Sequence, residues 1–495
     1  MDHSLLLCER SRIAAAAIVV PALLAVLAGP AFSQDEDPAA LHAARLAERF
    51  FQDQGIRTPG GGEPSGGTEA INRFALTGWS ANHKFGSSVA NAGDFDGDGY
   101  DDVVVGAPGP AGTGPGRAHL YFGRASLPPL AWGQIPAWSA DQLGYSVAGA
   151  GDLNGDGYDD IVVGSPTGGL GGLNTGYAPV FFGGPGRDTC PDVILYGYSV
   201  GDKFATSLDA AGDVNGDGYA DLAVGVPGYG NDSGAVWIYY GGPTFNDVPD
   251  VFYIGGLYAR LGIAVAGAGD VNADGFDDVV AGWGVGAALT GAANLYLGAQ
   301  TPPNTPFRTF YGEYMYHSFG SAVSTAGDVN GDGFDDILIG APGWGPGTSY
   351  DGHGRAYVFL GGASMNTVPD VLIDGPVAGA SLGYSVACAG DVDADGYSDV
   401  MAGVPSFYVG GSTGEAAVCF GGVGMDATVD MWLRGESADD QAGFDVAGGG
   451  DIDGDGIPEL IAGAPENDAA GSSAGRAYVF GNTMSGPDIP DAKLG

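Results

Sequence analysis

The chain has 495 residues, 60 of them acidic and 17 basic, for a formal net charge of −43. That balance argues against nucleic acid and anionic membranes as partners. It suits solubility in an exported protein.

Residues 1–33 read as a secretory signal. Arg10 and Arg12 precede an apolar run from Ile13 to Ala28, and Ala31-Phe32-Ser33 offers small residues at the cleavage positions. The run is short and broken by Pro21, so it makes a poor membrane span, and no other stretch has membrane length. The expectation is a secreted, extracellular or cell-surface protein with no transmembrane segment after cleavage. Residues 34–70 divide into a short helix, Pro38 to Gln54, and a Gly/Pro/Ser linker, Thr58 to Thr68. Repeats fill residues 71–482, and residues 483–495 form a short polar tail.

Seven acidic nonapeptides, spaced 57 to 63 residues apart, dominate the repeat region. Position 1 is Asp94, Asp152, Asp213, Asp270, Asp328, Asp391 or Asp451. Position 3 is Asp96, Asn154, Asn215, Asn272, Asn330, Asp393 or Asp453. Position 5 is Asp98, Asp156, Asp217, Asp274, Asp332, Asp395 or Asp455, followed by Gly. Position 7 is Tyr100, Tyr158, Tyr219, Phe276, Phe334, Tyr397 or Ile457, offering its backbone carbonyl. Position 9 is Asp102, Asp160, Asp221, Asp278, Asp336, Asp399 or Glu459.

These hard oxygens converge because the glycine permits a sharp turn. Five or six of them with a water suit Ca²⁺ better than Mg²⁺, and no Cys or His sits in a loop for zinc or copper. Up to seven structural Ca²⁺ ions are expected. An EF-hand needs Glu at position 12 and a following helix. Here position 12 is Val105, Val163, Val224, Ala281, Ile339, Ala402 or Ala462, inside β-branched runs that read as strands. A plain Asx turn would explain one copy. It explains less well seven copies with every ligand position filled.

Nine residues before each loop stands Phe85, Leu143, Phe204, Leu261, Phe319, Leu382 or Ala442, followed by Gly except at Ala205. Twelve residues after each first Asp stands a Gly, usually opening Gly-x-Pro. Each repeat reads as four strands: A before the loop, B after it, an aromatic strand C and a strand D. Seven such units predict an all-β, seven-bladed propeller of four-stranded antiparallel blades. A linear solenoid is the rival, but it needs atypical end repeats. The seventh unit stops after strand C. Ile71 to Trp79 stands where other units carry strand D, and so is expected to complete that blade beside Arg476–Phe480. Pro179 falls inside a strand C, and the fourth repeat has Gly282-Trp283-Gly284 in place of Gly-x-Pro.

Phe85-Gly86, Phe319-Gly320, Gly106-Ala107-Pro108, Gly340-Ala341-Pro342 and the acidic loops resemble the FG-GAP repeats of the integrin α-subunit head. The resemblance implies a seven-bladed propeller with Ca²⁺ loops, and points to the face opposite those loops for contact with partners and ligands. Integrin propellers carry the loop in only some blades; here all seven have it. The motif is specific for fold and leaves function open, since similar propellers occur in secreted bacterial proteins and beside enzymatic domains.

The favoured expectation is a non-catalytic, monomeric binding or adhesion module whose ligand is an extracellular protein or a glycan. Its ligand face would carry Trp79, Trp138, Tyr229, Trp344, Tyr350, Phe407 and Tyr408, with Tyr198, Tyr258, Trp283 and Tyr314 beside them. An enzyme with its site in the central channel, and a structural component of a surface layer, are the alternatives. Gly471-Ser472-Ser473-Ala474-Gly475 matches a nucleophile elbow, but lies between strands. Cys8 leaves with the signal, and the odd remainder is no disulfide framework. Cys388 and Cys419 would flank strand B of one blade, too far apart to bridge.

Overall fold

In the computed structural model, the described residues are 72–110, 115–125, 127–137, 141–169, 174–284, 290–346, 351–406 and 409–481. They belong to one compact unit spanning residues 71–495. The expected signal, helix, linker and tail lie outside them. Among the described residues no helix is long and apolar enough to cross a membrane.

Among the described residues, twenty-eight strands form seven four-stranded antiparallel sheets. In the first blade they are β2 (Ser88–Gly93), β3 (Asp102–Ala107), β4 (Arg117–Phe122) and β5 (Leu130–Pro136), hydrogen-bonded in that order. Five further blades repeat this meander. The last combines β26 (Val446–Gly450), β27 (Glu459–Ala464) and β28 (Arg476–Gly481) with the N-terminal β1 (Asn72–Thr77). β1 pairs with β28 along its whole length, from Asn72 opposite Gly481 to Thr77 opposite Arg476. The two ends of the propeller thus share one sheet, which removes the free edges a solenoid would expose.

One hydrophobic cluster fills each of the seven gaps between blades. Phe95, Leu120, Leu143 and Ile161 belong to the cluster between the first and second blades. Leu76, Phe85, Val103, Ile461 and Val479 close the seventh against the first. Each fully buried side chain of this size contributes about 1.5–3 kcal/mol.

At the Phe-Gly and Gly-x-Pro glycines neighbouring blades come into close contact. A Cβ on Gly106 would lie 2.1 Å from the Gly144 carbonyl of the next blade, and one on Gly463 would lie 2.0 Å from that of Gly86. Gly86 and Gly144 both have φ of +84°, a conformation side chains resist. Ala205, the one departure from Phe-Gly, takes the same left-handed conformation at φ +62°.

The other sequence irregularities have local consequences. β8 (Tyr177–Phe181) pairs with β7 (Asp160–Gly164) only at Ile161–Phe181 and Val162–Val180, before a bridge at Ser165–Tyr177. Pro179 lies in the interruption, where it has no N–H to give. In the fourth blade β14 (Leu261–Gly269) is nine residues long and shifts register twice against β15 (Asp278–Trp283). Cys388 and Cys419 are free and sit opposite Val400 from either side of β23 (Asp399–Val404). Cys190 is buried, 7% exposed.

Candidate metal centres and the two faces

Each acidic nonapeptide joins strand A to strand B, so all seven lie on one face of the ring. The position-1 carboxylate organises its own loop. Asp94 Oδ1 accepts the N–H groups of Gly97 (2.7 Å) and Asp98 (2.9 Å), and Oδ2 accepts that of Gly99 (3.0 Å). Asp152 and Asp213 repeat the arrangement. Gly99 makes the turn with φ of +92°.

The position-9 residue opens strand B and is buried. Asp160 Oδ1 accepts Gly183 N–H and Oδ2 accepts Leu153 N–H, both at 2.9 Å. Asp221, Asp278, Asp336 and Asp399 are held in the same way. Burial is the largest cause pushing these acids up, Asp102 and Asp160 to about 8 and Asp221, Asp278, Asp336 and Asp399 to about 7. Glu459 rises to about 8 for the same reason. A divalent cation beside them would favour the charged form instead.

The acids converge in different subsets. Ligand atoms of Asp94, Asp96 and Asp98 lie within 4.8 Å of one another. So do those of Asp391, Asp393 and Asp399, and of Asp451, Asp453 and Glu459. These three loops have an acid at position 3. The other four have Asn there, and Asn154, Asn215 and Asn330 donate to the position-5 carboxylate. Asp102 Oδ2, Asn215 Oδ1 and Asp451 Oδ1 are buried acceptors with no donor among the described residues. Oxygens left without a proton to accept fit a cation. In the first loop Arg187 Nη2 also reaches Asp96 Oδ2, at 2.9 Å.

The aromatic ring at position 7 does more than frame its carbonyl. Tyr158 lies across Gly97 of the preceding loop, and Tyr219 across Gly155; a Cβ on either glycine would meet the ring at 2.2 Å. A model of the FG-GAP repeat matches residues 85–121, 143–181, 204–239, 319–359, 382–419 and 442–480. The chain is an FG-GAP repeat β-propeller. Its fourth blade falls between the matched segments, yet has the same four strands and the same loop.

This propeller is similar to integrin alpha-5 of Xenopus laevis, 36% identical over 218 residues, which are 41% of this chain and 20% of the relative. It is 34% identical over 213 residues to integrin alpha-V of Gallus gallus, covering 39% and 19%. Integrin alpha pat-2 of Caenorhabditis briggsae is 32% identical over 257 residues, covering 47% and 20%. The aligned part is about a fifth of each relative's length.

On the face opposite the acidic loops, Trp79, Tyr198, Tyr258 and Tyr314 of the propeller are exposed. Trp344 is not. It is only 7% exposed, packed in the cluster between the fourth and fifth blades. The Arg355 guanidinium covers its ring at 3.6 Å. Glu313 Oε1 (3.1 Å) and Asp374 hold that guanidinium in turn. The expectation of an exposed ring at 344 is therefore corrected: a buried cation took the ring's open face. Tyr229 is partly buried, edge-on to Trp237 at 6.0 Å. Trp283 likewise meets Tyr311 edge-on. Trp138, Tyr350, Phe407 and Tyr408 lie outside the described residues.

Sequence reasoning missed Leu257, Met315 and Tyr316, which extend the exposed apolar set on the D–A loops entering the fourth and fifth blades. The signal was legible: Leu257-Tyr258 and Tyr314-Met315-Tyr316 sit in segments too short to be strands.

The channel is a cavity of about 460 Å³ lined by strand A of every blade. Its wall is rich in hydroxyls, including Ser88, Ser146, Ser207 and Ser385, and carries Asp209 and Asp445. Asp445 accepts Val89 N–H (2.9 Å) and the Ser385 hydroxyl (2.8 Å), and Asp209 accepts Gly267 N–H (3.3 Å). Both acids tie neighbouring blades together. The residue at the nucleophile position of the elbow pattern, Ser473, donates to Glu466 (2.6 Å), and the chain runs on into β28, not a helix.

Proposed function

We propose that this propeller is an exported, calcium-stabilised, non-catalytic module for adhesion or ligand binding, with a protein or glycan as its extracellular ligand. The observation that carries the reading is the contrast between faces. One is occupied by repeated oxygen cages, and the other presents Tyr198, Leu257, Tyr258, Tyr314, Met315 and Tyr316 to solvent on successive blades. Exposed aromatic and aliphatic side chains suit stacking on a sugar or filling by a protein anchor. Similarity to integrin α chains supports adhesion as the class of activity. Calcium is supported by the ligand types, the convergent acids and the donorless buried oxygens. When bound, the ion supplies positive charge that offsets carboxylate repulsion; position 1 shapes the loop and position 9 anchors it to strand B.

The test is a glycan and protein array probed with the full chain in Ca²⁺. A captured ligand should be lost on Tyr258→Ala with Tyr314→Ala, while the melting curve is unchanged. Binding that survives this pair but is lost when only the acidic loops are altered, at unchanged stability, would move the site to the other face.

A further inference from the structure

Position 8 is where neighbouring acidic loops meet. It is Asp in four blades: Asp101, Asp159, Asp277 and Asp335. Each carboxylate reaches back to the preceding blade and accepts the main-chain N–H of its position-1 aspartate. Asp159 accepts from Asp94 (2.9 Å), Asp277 from Asp213 (2.7 Å) and Asp335 from Asp270 (2.9 Å). Asp101 accepts from Asp451 (2.9 Å), across the ring closure. The approach requires the glycine before position 1. A Cβ on Gly93, Gly212, Gly269 or Gly450 would lie 2.0–2.2 Å from the same carboxylate oxygen. In the remaining blades position 8 is Ala220, Ser398 or Pro458. Alanine and proline have no side-chain acceptor, and serine offers only a neutral hydroxyl.

Position 8 stands between the carbonyl of position 7 and the carboxylate of position 9 in its own loop. An ion that fixes those two ligands also fixes the carboxylate between them. That carboxylate in turn holds position 1 of the preceding loop, the residue that gathers its backbone N–H groups. The bond is charge-assisted and half-buried, which makes it one of the stronger kinds.

We propose that Asp101, Asp159, Asp277 and Asp335 couple cation binding between adjacent blades in two separate runs. One run comprises blades seven, one and two; the other comprises blades three, four and five; blade six stands alone. This rests on the calcium reading of the loops. The coupling is reciprocal, so an ion in either loop of a linked pair tightens the other.

The test is calorimetric titration of the full chain with Ca²⁺ alone. Ala220→Asp should create the missing link between the second and third loops, tightening the second by about tenfold, within the usual range of coupling between sites. Asp217→Ala, which disables the third loop, should erase that gain, because the link carries the effect of a bound ion. Asp159→Ala should separate loop two from loop one and flatten the cooperative part of the wild-type titration. A gain from Ala220→Asp that persists in Asp217→Ala would reduce position 8 to a structural clamp and overturn the coupling. So would titrations unchanged by both position-8 variants in a chain that binds Ca²⁺. No Ca²⁺ binding by the wild type would instead sink the calcium reading, and the coupling with it.

Discussion

On the A–B face, all seven loops keep Asp at positions 1 and 5 and Gly at position 6. On the D–A face, loops of the same topological rank carry Tyr198-Ser199-Val200 in one blade, Tyr314-Met315-Tyr316 in another and Glu436 to Gln441 in a third. The reason lies in how each loop is held. An A–B loop must satisfy its own oxygen cage and also fit the loops before and after it, as Tyr158 over Gly97 and Asp159 on Asp94 show. A D–A loop is held largely through its backbone, at its ends and at points between, as from Gly379 N–H to Asp351 at 2.9 Å. Gly197, Gly255, Gly312, Gly375 and Gly435 each donate to the glycine that opens strand C of the same blade, at 2.9–3.1 Å. Between that anchor and the next Phe-Gly, side chains can vary without disturbing the ring. A repeat protein can thus hold the loops of one face nearly constant while those of the other vary.

Removing the proposed Ca²⁺ ions is the strongest attempt to break this contrast. One site saturated a hundredfold above its Kd adds about 2.7 kcal/mol. Several such sites make the expected fall in melting temperature about 10 °C or more in excess chelator, reversed by Ca²⁺. A calorimetric trace that ignores the chelator would leave the A–B loops as plain Asx turns. Next in size is the clasp. Deleting residues 71–79 removes β1 and the six paired positions of its register. The product should aggregate or melt without cooperativity, whereas deletion of 34–60 should change neither gel-filtration volume nor melt. A short form as stable as the full chain would show that closure does not depend on β1.

A third test separates buried from presented aromatics on the variable face. Trp344→Ala should cost about 3–5 kcal/mol, as for a large side chain lost from a core. Tyr258→Ala should stay within about 0.5 kcal/mol, as for an exposed site. Urea midpoints read both, and equal costs would mean that the two rings play the same part. The smallest effect concerns the channel wall. Burial pushes Asp209 up to about 7 and Asp445 to about 6, from an ordinary 3.8. Both hold a proton more tightly folded than unfolded. Their contribution to stability is full below about pH 4 and is lost as the pH rises through 6 to 7. Asp209→Asn in saturating Ca²⁺ should flatten the melting temperature against pH in that window, by about 2 °C. An unaltered slope would place the titration elsewhere.

Local pattern carried much of this architecture. The strand after each loop was legible from β-branched runs such as Asp102–Ala107, which is β3. The clasp expected at Ile71–Trp79 is observed at Asn72–Thr77. Where the sequence was silent, the contact joins residues a whole repeat apart. Asp159 lies 65 positions from Asp94, and nothing local to either marks them as partners. Trp344 looked like a free ring because the cation that covers it, Arg355, reads locally as the first residue of a strand C.

By itself the sequence determined the number of blades, their strand order, the position of every acidic loop and the segment that closes the ring. Each of these follows from short-range periodicity, from turn chemistry at fixed offsets, or from counting strands in the last unit. Only the tertiary structure decided which loop touches which, which acids converge, and which aromatics remain in solvent. Those outcomes depend on the side chains that meet across the gap between blades, and two residues at the same repeat position, such as Asp159 and Ala220, meet it differently.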